Sequence, residues 1–91
     1  MPSLEFLTNH SKVLLCVARQ PDARLRDIAD AVGITERAAH KLVSDLVDQG
    51  YVVRKREGRR NSYRVKPDLP LPDPLVQERK VGELLDVLLG K

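Results

Sequence analysis

Between residues 25 and 51 the apolar positions follow two helical stripes separated by a glycine. The first stripe consists of Ile28, Ala29 and Val32, and the second of Ala39, Leu42, Val43 and Leu46. Both show the three- and four-residue spacing of an amphipathic helix. Gly33 follows the first stripe, and glycine suits a helix end because it adopts a positive φ without a Cβ clash. The pattern predicts two short helices joined by a tight turn.

The residues around this turn are typical of a helix-turn-helix. Thr35 places a hydroxyl where it can cap the second helix. Ala29 is predicted on the inward face of the first helix, where a small side chain lets the second helix cross closely at a steep angle. A pair of core helices with no role in nucleic-acid binding is the alternative that this spacing leaves open.

The face of the second helix opposite its apolar stripe carries hydrogen-bonding side chains, mostly in the first turns. Together with the capping threonine, the candidate DNA-binding residues of this helix are Thr35, Arg37, His40, Lys41 and Ser44. A recognition helix reads base edges with its N-terminal half, and Arg and Lys suit O6 and N7 of guanine. An ordinary solvated helix face is the competing interpretation, since the same helix also contains Glu36, Asp45 and Asp48.

The second helix is expected to end at Gly50, and a β-hairpin to follow it. The predicted strands cover residues 51–55 and 62–65, with Gly58 and Asn61 in the turn between them. Because an isolated hairpin is only marginally stable, we expect it to pack on the helices and to pair with a third short strand near residues 24–26. Three helices with such a hairpin form a winged helix, of the α+β class.

Positive charge is concentrated in this hairpin. Residues 54–66 contain seven Lys or Arg and one acidic residue, a local balance of +6, whereas the rest of the chain has a balance of −3. The candidate DNA-binding residues of the wing are Arg54, Lys55, Arg56, Arg59, Arg60, Asn61 and Arg64. A positive segment directly after a recognition helix is expected of a phosphate-binding surface. A hairpin that merely carries solvated charges is the alternative.

Residues upstream of these elements predict one further helix. It is expected to begin near Thr8 and to run to about Arg19, with the buried stripe Val13, Leu14, Val17 and Ala18. His10 is interpreted as a structural or partly exposed histidine rather than a metal ligand, because no second ligand lies at helical spacing. Cys16 is interpreted as a small core or boundary residue.

The string from Leu7 to Val65 resembles the winged helix-turn-helix transcriptional regulators of the MarR-like kind. Its most telling pieces are GITERAAHKLVSDLVDQGYV and REGRRNSYRV, and the resemblance covers about residues 6–66. It implies a dimeric DNA-binding repressor or activator. It further implies that the helix from Thr35 to Gln49 enters the major groove, while Arg59, Arg60 and Asn61 contact phosphate or the minor groove.

The segment after the winged helix is expected to provide the dimer contact. Residues 67–74 contain four prolines and predict a stiff, extended strap. Asp73 is expected to cap a helix with Pro74 at its first position, and the dimerisation helix is expected to cover residues 75–90. Its apolar stripe, the candidate dimerisation surface, consists of Val81, Leu84, Leu85 and Leu88. The helix could also fold back onto its own chain, but a stiff strap and the close packing that Gly82 permits favour a partner helix.

These 91 residues predict a single small domain with little room for an active-site cleft. With no signal peptide and no apolar run of roughly 20 residues, we expect a cytoplasmic protein without membrane contact. We expect no enzyme, metal or cofactor, since no nucleophile or ligand cluster is visible. With only three aromatic residues, we expect no small-molecule effector pocket. The expected partners are double-stranded DNA and a second copy of the chain; a winged-helix module that binds protein or RNA is the alternative.

Overall fold

Four helices and one antiparallel hairpin make up the part of the chain that the structure, a computed structural model, describes, which is residues 5–90. The elements follow in the order α1 (Asn9–Arg19), α2 (Leu25–Val32), α3 (Glu36–Asp48), β1 (Val52–Glu57), β2 (Arg60–Val65) and α4 (Val81–Leu89). The predicted α+β winged helix-turn-helix with an additional C-terminal helix is confirmed. None of the helices between residues 5 and 90 has the length and apolar character that a membrane crossing requires.

The ends of the first three helices are set by local hydrogen bonding. The Thr8 hydroxyl accepts from the backbone N–H of Ser11 at 3.1 Å, and the Thr35 hydroxyl accepts from that of Ala38 at 3.0 Å. Each threonine thus satisfies one of the free N–H groups at a helix start. Gly33 ends α2 with φ +84°, and Gly50 follows α3 with φ +85°. These predicted starts and ends are confirmed.

The core lies where α1, α2 and α3 meet. The most deeply buried side chains of these three helices are Val13, Val17, Ile28, Ala29, Ala39 and Val43. Ala29 on α2 and Ala39 on α3 are both almost fully buried, and their small side chains let these helices pack closely. The remaining core positions on the hairpin are Val52 and Tyr63, which place the wing against the helices.

The hairpin is longer than predicted and contains no third strand. Its register pairs Val52 with Val65 and Glu57 with Arg60, so only Gly58 and Arg59 form the turn. The third strand expected near residues 24–26 is wrong, because Arg24 is the N-cap of α2 and Leu25 already belongs to that helix. The outer edge of β2 is instead contacted by the loop between α1 and α2, where the Pro21 carbonyl accepts from the Tyr63 N–H at 2.8 Å.

The C-terminal segment folds back on its own chain. The N–H groups of Val81 and Gly82 donate to the carbonyls of Leu69 and Pro67, both at 2.9 Å. Residues 67–71 therefore run beside residues 79–82 rather than forming a straight strap. This return places Val81 and Leu85 of α4 in the core, where they are 2% and 6% exposed.

The last helix begins at Val81 and not at residue 75 as predicted. The Asp73 carboxylate accepts from the Leu75 N–H at 2.9 Å, which closes a local turn instead of capping a helix. Leu75 is 86% exposed, so a helix there would have no apolar face to bury. The N–H of Lys80, the N-cap of α4, donates to the Glu83 carboxylate at 3.1 Å.

Candidate nucleic-acid interface

The first turns of α3 present a row of charged side chains to solvent. Arg37, His40 and Lys41 are all exposed, whereas Ala39 and Val43 on the opposite side of the helix are buried. Burial of this opposite stripe fixes the rotation of α3, so the charged row must face outward. The arrangement offers guanidinium, imidazole and ammonium groups over the N-terminal half of one helix.

Two other residues predicted for this helix have different environments. Thr35 is exposed, but its hydroxyl already accepts the Ala38 N–H and so supports the helix start. Ser44 is half-buried, at the edge of the charged row. Thr35 therefore positions the row, whereas Arg37, His40 and Lys41 project from it.

Lys41 does not stand alone on this face. Its ammonium lies 2.5 Å from Oδ1 of Asp45, one turn further along α3. The other carboxylate oxygen, Oδ2, lies 2.9 Å from Nε2 of His10 on α1. The hydrogen bond from Lys41, and secondarily that with His10, lowers the pKa of Asp45 below its ordinary range. Asp45 therefore remains a carboxylate that holds Lys41 on one side and α1 on the other.

The wing has one face turned to the core and one to solvent. Side chains alternate along a strand, so Val52 and Tyr63 share the inner face, where they are buried. Lys55 and Arg64 lie on the outer face and are exposed. Arg54, which pairs with Tyr63, and the pair Arg56 and Asn61 nearer the tip also lie on the inner face, but they are exposed. Every basic residue predicted for the wing is thus accessible to a ligand.

The turn at the wing tip has a defined shape. Gly58 has φ +64°, and Arg59, like every described residue other than glycine, has no positive φ. Glycine first in a two-residue hairpin turn is the pattern of type II′. Nε of Arg56 donates to the Gly58 carbonyl at 3.1 Å, and the Ser62 hydroxyl donates to the Glu57 carboxylate at 2.9 Å. These bonds hold the tip that carries Arg59.

Two basic residues that the sequence analysis did not single out lie beside this tip. Arg24 and Arg26, at the start of α2, line an open cleft together with Arg59 and Arg60. Nη2 of Arg60 reaches the carbonyl of Asp22 at 3.4 Å. Nothing in the local pattern around Arg24 indicates this neighbourhood, because it arises only when the loop before α2 packs along β2.

The four residues predicted to form a dimer contact are divided by the fold. Val81 and Leu85 are buried in the chain's own core, so they are not available to a partner. Leu84 is half-buried, and Leu88 is 41% exposed. Val87, which is outside the predicted stripe, is 76% exposed and lies on the same side as these two.

His10 and Cys16 have structural surroundings. His10 is exposed and contacts Asp45, as described above. Partial burial raises the pKa of the Cys16 thiol, although the charge of Arg19 opposes this shift. Within residues 5–90, no three His, Cys, Asp or Glu side chains form a group that could hold a metal ion.

The fold and this surface define a winged helix-turn-helix protein. The IclR helix-turn-helix domain family matches residues 7–56, which is more than half of the chain, and the chain belongs to this family. No curated protein that was compared matches it. Membership supports a DNA-binding regulator of transcription with double-stranded DNA as its partner. The resemblance to MarR-like regulators is thereby confirmed at the level of the winged helix-turn-helix class, in a different family.

Proposed function

We propose that the protein is a sequence-specific regulator that binds double-stranded DNA as a homodimer, with α3 in the major groove. The observation that carries this proposal is the exposed row Arg37, His40 and Lys41 at the start of α3. Arg and Lys donate to guanine O6 and N7, and residues in the first turns of a recognition helix lie nearest the base edges. Arg37 and Lys41 are assigned to bases, and His40 and Ser44 to adjacent bases or phosphates.

The wing is assigned to the DNA backbone or the minor groove. Its basic side chains are exposed on both faces of the hairpin and at the tip. Arginine suits a phosphate because its planar guanidinium donates two parallel hydrogen bonds. The family match ends at residue 56, before the tip, so this assignment rests on the charge and exposure of residues 54–64.

The homodimer is proposed to form through the outer side of α4. Leu84, Val87 and Leu88 recur at helical spacing and leave apolar surface exposed on one side of this helix. A second copy related by a two-fold axis would cover both stripes at once and present two α3 helices to successive major grooves. Val81 and Leu85 attach the same helix to its own core and would orient it for the partner.

Selection from random duplex DNA by the purified protein tests the proposal. We expect enrichment of a motif with two-fold symmetry, and weaker discrimination at individual base pairs in Arg37→Ala or Lys41→Ala. Losing a direct base contact should reduce the binding free energy on the preferred site by about 1 to 3 kcal/mol. Asp48→Ala is the matched control, because Asp48 lies exposed at the far end of the same helix. Selection of no sequence, or tighter binding to RNA of random sequence, would contradict the proposal.

A further inference from the structure

A basic cleft separates the wing tip from the start of α2. It has a volume of about 480 Å³ and is open to solvent. Four arginines line it, two from each side: Arg24 and Arg26 at the N-terminal end of α2, and Arg59 and Arg60 in the wing. Two acidic residues, Asp22 and Glu36, also line it, which leaves the arginines in excess.

Most of these guanidinium groups have no structural partner in the described part of the chain. Among residues 5–90, the ion pairs leave Arg24, Arg26 and Arg59 without a carboxylate within 4.0 Å. Of the four guanidinium groups that line the cleft, only that of Arg60 makes a hydrogen bond within residues 5–90, the 3.4 Å contact with the Asp22 carbonyl. Four neighbouring positive charges repel one another, and a bound anion relieves that repulsion. The stability of the fold therefore does not account for the convergence of these arginines.

The two sides of the cleft are fixed relative to each other. The Tyr63 N–H donates to the Pro21 carbonyl at 2.8 Å, and Ala23 is buried at 6% exposure. These contacts and that of Arg60 tie the loop before α2 to the second strand of the wing. Segments about 35 residues apart in the chain consequently present their arginines from one preformed surface, which lowers the cost of ordering them around a ligand.

The cleft is continuous with the proposed DNA-binding surface. Glu36, which lines it, is the first residue of α3 and directly precedes Arg37. A duplex that places base edges at the start of α3 would therefore bring one backbone strand toward the cleft. Phosphodiesters carry one negative charge each and accept bidentate hydrogen bonds from arginine.

We propose that this cleft is a second phosphate-binding site, in which Arg24 and Arg26 act with Arg59 and Arg60 to bind the DNA backbone beside the bases read by α3. The site rests on the proposed function and adds α2 to the DNA-binding elements. Its ligand is a phosphodiester and not a base, so its contribution is the same for every DNA sequence. It sets the position of the duplex along the wing.

The double variant Arg24→Ala with Arg26→Ala tests the site. We expect its affinity to fall about tenfold or more at moderate salt, equally for preferred and random duplexes. We also expect the slope of log affinity against log salt to become less steep by about one to two, because each arginine that binds a phosphate adds about one to this slope. The fold should persist, because the N-cap contact of α2 is made by the backbone N–H of Arg24, which donates to Asp27. Circular dichroism checks this.

A matched control removes the same charge elsewhere. Lys12→Ala with Arg19→Ala deletes two positive charges from α1, outside the cleft and outside the proposed dimer helix. Its affinity and salt slope should be close to those of the unchanged protein. Arg24→Lys with Arg26→Lys should recover part of the affinity, because lysine keeps the charge but not the bidentate geometry.

Replacing single DNA phosphates by an uncharged group shows which backbone positions contact the cleft. A methylphosphonate placed at successive positions should weaken binding of the unchanged protein at one or two backbone positions, and should not weaken the double variant there. If the unchanged protein binds duplex DNA but the double variant matches the control, the second site is wrong and the proposed function stands. A loss of affinity in the double variant that is confined to one base sequence would also overturn the second site, since such a loss would indicate that the arginines read bases. Failure of the unchanged protein to bind DNA would instead contradict the proposed function.

Discussion

Gly82 at the start of α4 lies so close to Pro67 that a side chain would not fit between them. A Cβ built at position 82 would stand 2.7 Å from the Pro67 Cβ and 3.1 Å from its carbonyl oxygen. The same carbonyl accepts the Gly82 N–H at 2.9 Å. The close packing that Gly82 permits is therefore with its own chain, at the first proline of the segment that leads to α4.

Gly82→Ala should destabilise the protein. Helix propensity alone favours alanine by up to about 1 kcal/mol, whereas overpacking a close contact costs about 1 to 3 kcal/mol. Because Pro67 is rigid and its carbonyl is engaged, we expect the contact to dominate and the urea midpoint to fall. Asp86→Ala is the control, since Asp86 is exposed on the same helix and only helix propensity and one surface charge change there. An increase in stability for Gly82→Ala, similar to that of the control, would contradict the importance of this contact.

Acid should weaken the attachment of α4. The Lys80 N–H, and secondarily Arg79, hydrogen-bond to the Glu83 carboxylate and lower its pKa. A carboxyl with a lowered pKa in the folded state stabilises the fold above its unfolded pKa, and this contribution is lost as pH falls through the folded pKa. The loss of stability due to Glu83 should begin below about pH 4.3, which is the ordinary pKa of a glutamate.

Glu83→Gln checks this expectation. The variant should be less stable than the unchanged protein at neutral pH, and the difference between their unfolding midpoints should shrink on acidification. Glu78→Gln is the control, because Glu78 is exposed and outside any helix. A difference that stays constant from neutral pH to pH 3 would show that the Glu83 charge does not contribute.

Residues near helix ends show what the sequence can predict. The caps Thr8 and Thr35 and the glycines at 33 and 50 act through bonds within a few residues, so local chemistry is sufficient to predict them. The start of α4 is harder to predict because Asp73 and Pro74 form an equally good local signal. The true start is set by the hydrogen bonds of Val81 and Gly82 to residues 67–69, more than ten residues earlier in the chain. An acidic residue three positions after Lys80 is the local sign of the true start, and Asp27 gives the same sign for α2.

The candidate site is predictable only where one element carries it. The row on α3 follows from helical periodicity, and the wing charges follow from composition. The bridge from Lys41 through Asp45 to His10 joins α3 to α1, and the arginine cleft joins α2 to the wing. Both require the packing of separate elements, which no short-range pattern specifies.

Asp45→Asn should make DNA binding tighter but less selective. The substitution removes a negative charge from the face of α3 and releases the Lys41 ammonium. Affinity for random duplexes should rise on the order of twofold or more. The ratio between preferred and random sequences should fall, because Lys41 is no longer held in one position. Equilibrium binding to both duplexes measures the two effects.

Asp48→Asn separates these effects from simple charge removal. Asp48 is exposed on the same helix and takes part in none of the ion pairs among residues 5–90. Asp48→Asn should raise DNA affinity slightly and leave the ratio between preferred and random duplexes unchanged. If the two variants behave alike, Asp45 acts only through its charge and does not position Lys41.

The proposed homodimer is tested by charges on the outer side of α4. Val87→Lys with Leu88→Lys places two lysines in the proposed contact, where both side chains are already exposed, so the chain should stay folded. Light scattering at micromolar concentration should then show a monomer. Leu85 is unsuitable for this purpose because it is buried in its own chain. Asp86→Lys is the control, since it adds a lysine to an exposed position of the same helix, away from the stripe, and should leave the dimer intact.

DNA spacing gives an independent measure of the same interface. A two-fold dimer reads half-sites about 10 base pairs apart or a multiple of that, so inserting about five base pairs turns one half-site to the opposite side of the duplex. The unchanged protein should bind the altered site more weakly. The double lysine variant should bind both sites equally, because each half-site is then occupied by a separate chain. If the unchanged protein is monomeric in solution and binds both sites equally, α4 is ruled out as the dimer element. If the double lysine variant still binds the altered site more weakly, the interface lies elsewhere on the chain.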